Sequence, residues 1–409
     1  MLFETIRMSD TGTKSQISSH RHAVRERLAN YQPFKELVRA LEAPGQRELA
    51  VTGLAGSSTA LLIHGLAAAV GRPILFVAGS SDTAADLYDD LRGLLPDKQL
   101  GHFPSRQILP FDFRAPVGEV MGRRISTLSD MRSGRSDVVV CPVRALIEPT
   151  ITTSYLDASR IDLAPEEEID LDDLVMRLVK LGFRRVGAVE EIGDFAVRGG
   201  LIDFFSPGHD APVRVELFGD EVDTIREFDV ASQRTKRRIE RVAVLPRREV
   251  PITQESLEQH LNDIKQDDAD YIRSRYLNDP ELPGLEWLSV MFGLEQGALT
   301  DYLSDDWIVM YDARGNLQAV AEDIVTEAVT LYERLHQKFL SFREPEKYYH
   351  SPSSLFNRLA AEHDTIDRLP FRGGKPDILD FACKPHPSFG SRLDLVGQAL
   401  AEYEAKGIS

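Results

Sequence analysis

Between about residues 47 and 150, short apolar runs alternate with amphipathic stretches, the pattern of a parallel α/β sheet. LAVTG (Leu49 to Gly53) reads as a strand, ALLIHGLAAAV (Ala60 to Val70) as a helix, and PILFVAG (Pro73 to Gly79) as the next strand. Ser81 or Asp82 can cap a helix carrying Leu87, Leu91, Leu94 and Leu95, and Asp137 leads into the apolar strand VVVC ending at Cys141.

The pattern changes after about residue 150. Asp170 can cap a helix with Asp173 at its third position, while Leu171, Leu174, Val175, Leu178 and Leu181 keep a helical period until Gly182 stops it. FAVRG, GLIDFF, PVRVELFG and EVDTIREF follow, with Pro207-Gly208 and Gly219-Asp220 as turns. This predicts an α+β insert, one helix packed on an antiparallel sheet.

From about residue 247 helical segments return, and the strand WIVMYD (Trp307 to Asp312) precedes a long helical pattern reaching Phe339, as if the first domain resumed. REPEKYYHSPSS (343 to 354), rich in charge and turn formers, reads as a linker before a small terminal α/β unit. The expected division is therefore 1–150, an insert at 151–246, a resumption at 247–345, and a remainder at 346–409.

Composition narrows the function classes. With 48 Lys+Arg against 65 Asp+Glu the net charge is -17, which argues against a broad nucleic-acid surface but leaves room for a local basic patch. Cys141 and Cys383 are isolated, so neither a disulfide framework nor a zinc site is expected, and a reducing cytoplasm fits. The polar start, with His20 and His22, reads as a solvated tail, and no apolar run is long enough for a membrane span.

The loop GLAGSSTA lies where a nucleotide-binding α/β domain carries its phosphate loop, with Gly53 and Gly56 as its glycines. A working loop needs a Lys for the phosphates and a Ser/Thr for magnesium; here Thr59 and Ala60 occupy those places. Alone, the loop reads first as an ordinary glycine-rich turn, since short glycine motifs often arise by chance. A second site agrees with loss of chemistry: the strand WIVMYDA has Asp312 followed by Ala313, so the carboxylate that would orient water is missing. Glu166-Glu167-Glu168 reads as a solvated face, and no HExxH, GxSxG or Cys–His signature occurs.

Strand alternation in PVRVELF puts Val213, Val215 and Leu217 on one face, and Arg214, Glu216 and Phe218 on the other. Arg198 likewise lies opposite Phe195 and Val197, and would share that second face with Arg214 if their strands are neighbours. Two readings stay open from pattern alone: an interface with Arg and aromatic anchors, or Phe218 covering a core edge while the arginines pair with local acids such as Glu216.

The stretch EEIGDFAVRGGLIDFFSPGHDAPVRVELFGDEVDTIREFDVASQRT (190 to 235) closely resembles the matching region of transcription-repair coupling factors and of the excision-repair subunit UvrB. The resemblance runs through most of the chain and implies a degenerate RecA/helicase-like parallel-sheet domain interrupted by the insert. It assigns Arg198, Arg214 and Phe218, with Glu216 between them, to contact with the damage-recognition protein UvrA. UvrB keeps a complete phosphate loop, an acidic pair and a long aromatic hairpin; this sequence departs from it at GLAGSSTA, at YDA, and at the short connection Ile108 to Arg124. The coupling factor is the better match. It implies a non-catalytic recruiting module without cofactor, a truncated third domain after about residue 346, and RNA polymerase and DNA engaged only through an absent motor. That motor would be an ATP-dependent translocase, and the same face could pack against it. The alternative is a UvrB-like ATP- and DNA-binding repair protein.

Overall fold

The computed structural model describes residues 23–110, 118–250, 252, 254–278, 284–335, 341–371, 378–384 and 393–405. The tail with His20 and His22, and residues 111–117 of the short connection, lie outside the described residues.

Fifteen strands are described. Four come first: β1 (Glu48–Thr52), β2 (Ile74–Ala78), β3 (Leu100–His102) and β4 (Val138–Pro142). Eight follow within about 85 residues: β5 (Ile161–Leu163), β6 (Arg184–Arg185), β7 (Asp194–Arg198), β8 (Leu201–Phe204), β9 (Val213–Phe218), β10 (Glu221–Phe228), β11 (Thr235–Arg238) and β12 (Val242–Val244). The last are β13 (Ile308–Asp312), β14 (Asp364–Arg368) and β15 (Leu379–Asp380).

The fold is α/β. A seven-stranded parallel sheet has the order β15-β1-β14-β13-β2-β4-β3. The central strands β2, β4 and β13 are largely apolar because helices cover both faces, so alternate side chains enter different cores. Phe76 and Met310 pack with Leu62, Leu66, Leu87 and Leu91 on one side. Leu75, Val77, Val309 and Tyr311 pack with Ile125, Leu128, Leu317 and Phe356 on the other.

Between β4 and β13 the chain builds a six-stranded sheet, β11-β10-β9-β8-β7-β6, antiparallel except for β6 beside β7. The helix Leu171–Lys180 covers one face through Leu174 and Leu178, against Phe195, Ile202, Val213 and Val215. Its cap is the expected one: Asp170 Oδ1 accepts from the Asp173 N–H at 2.9 Å. The earlier helix Ser81–Leu94 is instead capped by Ser80, one residue before the expected Ser81 or Asp82, whose Oγ accepts from Thr83 N–H at 3.1 Å.

Two expectations about the last quarter need correction. The linker reading of 343–354 fails because Tyr348 and Tyr349 are buried against Trp287, with ring centroids 6.1 and 6.0 Å apart. The boundary at residue 345 does not end the sheet. β14 lies between β1 and β13, hydrogen-bonded to both, so the strands after 346 complete the large sheet rather than a separate unit. Charged and turn-forming neighbours hid these two tyrosines from a compositional reading.

Candidate partner-binding face

The second face of the six-stranded sheet is organised in cross-strand rows, because residues paired across antiparallel strands point the same way. One row runs Ala196, Asp203, Arg214, Arg226 and Arg238; the next runs Arg198, Leu201, Glu216 and Thr224. Phe218 stands beyond them, paired with Glu221 across the two-residue turn Gly219-Asp220. Gly219 takes a φ of 66°, which an L side chain disfavours.

The two predicted faces of β9 are those observed: Val213 and Val215 are buried, while Arg214 and Glu216 are half-buried and Phe218 is 84% exposed. Arg198 and Arg214 share the second face although β8 separates their strands, so the neighbour condition was unnecessary. A row of pairs through β8 carries the alternation across.

Most charges on this face are already matched. Arg214 grips Asp203 with two hydrogen bonds, Nε to Oδ1 at 2.7 Å and Nη2 to Oδ2 at 2.8 Å, and its guanidinium lies 4.8 Å from the Phe228 ring centroid. That hydrogen-bonded carboxylate holds the Arg214 guanidinium above its ordinary value. Glu216 accepts from Arg226 Nη2 at 2.9 Å and from Thr224 Oγ1 at 3.2 Å, not from Arg214. Phe228, Ala196 and Val189 bury a small second core at the far end of the face.

What remains outward is the opposite end. The exposed Arg198 side chain donates to the Gly187 carbonyl, Leu201 is half-buried, and Phe218 is the most exposed large apolar side chain among the described residues. Sequence reasoning named Arg198 and Phe218 but missed Leu201, Asp203, Arg226 and Phe228. The alternation of GLIDFF could have found the first two, since Ile202 and Phe204 are the core residues of β8.

The residues of the glycine loop read as a degenerate nucleotide site lie at the carboxyl edge of the parallel sheet. The loop follows β1, with Gly53 and Gly56 at φ 71° and 55°, and the helix Ser58–Ala69 begins inside it. Thr59 and Ala60 are buried in that helix, and Ser58 Oγ accepts from the Ala55 N–H at 2.7 Å. Residues 381–383 run along the loop, with N–H groups of Phe381 and Cys383 donating to the Thr52 and Gly53 carbonyls. A Cβ at Gly53 would overlap the Asp380 carboxylate. Asp312 ends β13, one strand away from β1, and is ion-paired with Arg368; Ala313 follows at φ 60°. Among the described residues no group of three or more His, Cys, Asp or Glu could hold a metal ion, and no helix is long and apolar enough to cross a membrane.

Residues 161–249 match the family model of the UvrB interaction domain. Across 98% of its length the chain is 29% identical to the transcription-repair-coupling factor of Myxococcus xanthus, covering 34% of that protein. It is 26% identical to the transcription-repair-coupling factor of Staphylococcus aureus (strain bovine RF122 / ET3-1), over 88% of this chain and 32% of the relative. The Staphylococcus epidermidis RP62A protein of that name is 26% identical over 92% of this chain and 34% of its own. The chain thus spans about a third of the length of the curated relatives it matches. The chain is similar to the transcription-repair-coupling factors over most of its length, and its residues 161–249 match the UvrB interaction domain.

Proposed function

We propose that this chain is the recruiting module of a transcription-repair coupling factor and that it binds UvrA through the outer face of the six-stranded sheet. The observation that carries the reading is Phe218, 84% exposed on the same sheet face as Arg198 and Leu201, where the other charges are largely paired among themselves. Aromatic and Arg side chains exposed on one face are the residue types that anchor protein interfaces. Arg214 and Glu216 stiffen the face and offer their remaining polar edges. UvrA itself comes from the family resemblance; the domain matched at 161–249 is the UvrB interaction domain.

In this reading the chain turns over no nucleotide. Thr59 cannot replace an ammonium at a phosphate, Ala60 cannot hold magnesium, and the Asp312 carboxylate is engaged by Arg368. Contact with RNA polymerase and translocation on DNA are assigned to sequence that the longer relatives have beyond the part matched here.

The test is titration of UvrA with the intact chain carrying Phe218→Ala or Arg198→Glu. A loss of tenfold or more in affinity from each is expected. Wild-type affinity in both would remove the site assignment, and measurable ATP turnover by the chain would remove the non-catalytic reading.

A further inference from the structure

The chain carries a surplus of 17 negative charges, yet one edge of the insert is strongly basic. From Arg234 to Arg241 there are five cations, Arg234, Lys236, Arg237, Arg238 and Arg241, against the single carboxylate Glu240. All five are exposed. Four of them lie on or beside β11, the edge strand of the six-stranded sheet, which pairs only with β10.

Two of the five are tied to neighbours, Arg237 to Glu227 at 2.6 Å and Lys236 to Asp229 at 3.4 Å. Exposed pairs of this kind are worth at most about 1 kcal/mol and exchange readily for another anion. Arg234, Arg238 and Arg241 form no ion pair among the described residues; Arg238 reaches only the Asp223 carbonyl, at 3.5 Å. Charge on an edge strand also deters strand-to-strand association. One or two charges of either sign would do that, so a run of one sign in an acidic chain asks for more.

We propose that β11 and its flanks bind the phosphate backbone of duplex DNA. A strand advances about 3.4 Å per residue, and each strand of duplex DNA presents one phosphate per about 3.4 Å of axis. Side chains alternate across the strand, so Lys236 and Arg238 offer cations about 6.8 Å apart on one face, one for every second phosphate by axial rise, while Arg237 lies on the other. The overall acidity does not prevent this, because at 0.1 M salt charges more than about 10 Å away are largely screened. The contact reads no sequence: every group offered is a long flexible cation. Arg238 belongs to the same sheet face as the candidate UvrA contact but at its opposite edge. Arg198 on β7 lies four strands from β11, about 19 Å at the usual strand spacing, so protein and DNA could be held at once.

The experiment uses the intact chain and a fluorescein-labelled duplex of random sequence, read by anisotropy from 50 to 200 mM salt. Wild type is expected to bind with a steep salt dependence. The triple variant Arg234→Gln, Lys236→Gln, Arg238→Gln should bind at least tenfold more weakly, with a log–log salt slope shallower by about 2 to 3. Substituting Arg234→Lys and Arg238→Lys should retain most binding, because charge rather than side-chain shape is used. Phe218→Ala should leave DNA binding unchanged, which separates this proposal from the UvrA assignment. No binding by wild type, equal binding by the triple variant, or capture of poly-glutamate with no binding of DNA would each overturn it.

Discussion

Arg124 and Glu249, 125 residues apart, meet in a fully buried ion pair, with Nε 2.7 Å from Oε1. Glu249 is also the last residue of the matched domain, so this contact ties the end of the insert to the parallel-sheet domain. Arg106 takes the other carboxylate oxygen at 2.6 Å, Thr150 donates to the first at 2.9 Å, and Arg124 Nη1 reaches Glu148 at 3.0 Å. Arg106 also lies over the Trp287 ring, and Arg124 over Phe103, at 5.4 and 4.0 Å. Glu249→Gln leaves two buried guanidiniums short of a counter-charge. It should lower unfolding free energy by about 3 to 5 kcal/mol, measured by urea denaturation.

The same carboxylate sets a pH dependence. Burial alone would push Glu249 up, but the guanidiniums of Arg124 and Arg106 outweigh it and hold the group below the usual carboxylate range. A depressed folded-state value means stability present above the unfolded value of about 4.3 and lost as pH falls through the folded value. The gap between wild type and Glu249→Gln should be widest near neutral pH and narrow below about pH 4. Glu148 acts oppositely, since burial outweighs the same two arginines and raises it.

Arg214 is a poor probe of partner binding, because it serves the fold first. Asp203 is 3% exposed, and Arg214→Glu would place a second carboxylate against it. That variant should lose on the order of 2 to 4 kcal/mol of stability. Phe218→Ala, at an exposed position, should stay within about 0.5 kcal/mol of wild type. Thermal melts of the two side by side check the contrast. Only the second can then be read as an interface effect.

Placing Lys and Thr at positions 59 and 60 should not create nucleotide binding. Ala60 is fully buried and Thr59 nearly so, and the loop is flanked by residues 380–383. In Thr59→Lys, Ala60→Thr, the added atoms meet packed neighbours, at a cost of about 1 to 3 kcal/mol. Titration with a fluorescent ATP analogue and magnesium should stay flat up to millimolar concentration. Saturable binding would mean that the slot opens after all.

Limited proteolysis distinguishes a linker from a buried strap at 343–354. With Tyr348 and Tyr349 packed on Trp287, the native chain should resist cleavage there. Tyr348→Ala should cost about 3 kcal/mol or more and make the segment a cutting site, read by mass spectrometry of the fragments.

Much of the architecture was legible because local and global signals agree. The apolar runs of β1, β2, β4 and β13 reflect burial on both faces, and Asp170 caps its helix as its spacing indicates. Alternation in β9 placed Phe218 outward correctly. What stayed hidden depends on residues distant in sequence. Nothing near Arg214 announces that its carboxylate is Asp203 rather than Glu216, and nothing near Tyr348 announces Trp287. β11 was missed because TKRR lacks an apolar face, being an edge strand exposed along its whole length.

The position of β14 has a consequence for how the molecule is made. β1 and β2 are consecutive in the chain but not adjacent in the sheet; β14 and β13 fill the two places between them. On a ribosome the insert, whose strands pair with near neighbours, can close early, whereas the two halves of the parallel sheet must wait with naked edges for more than two hundred residues. The antiparallel module is therefore the part of this protein expected to be finished first, and the parallel sheet the part most exposed to going wrong before it is complete.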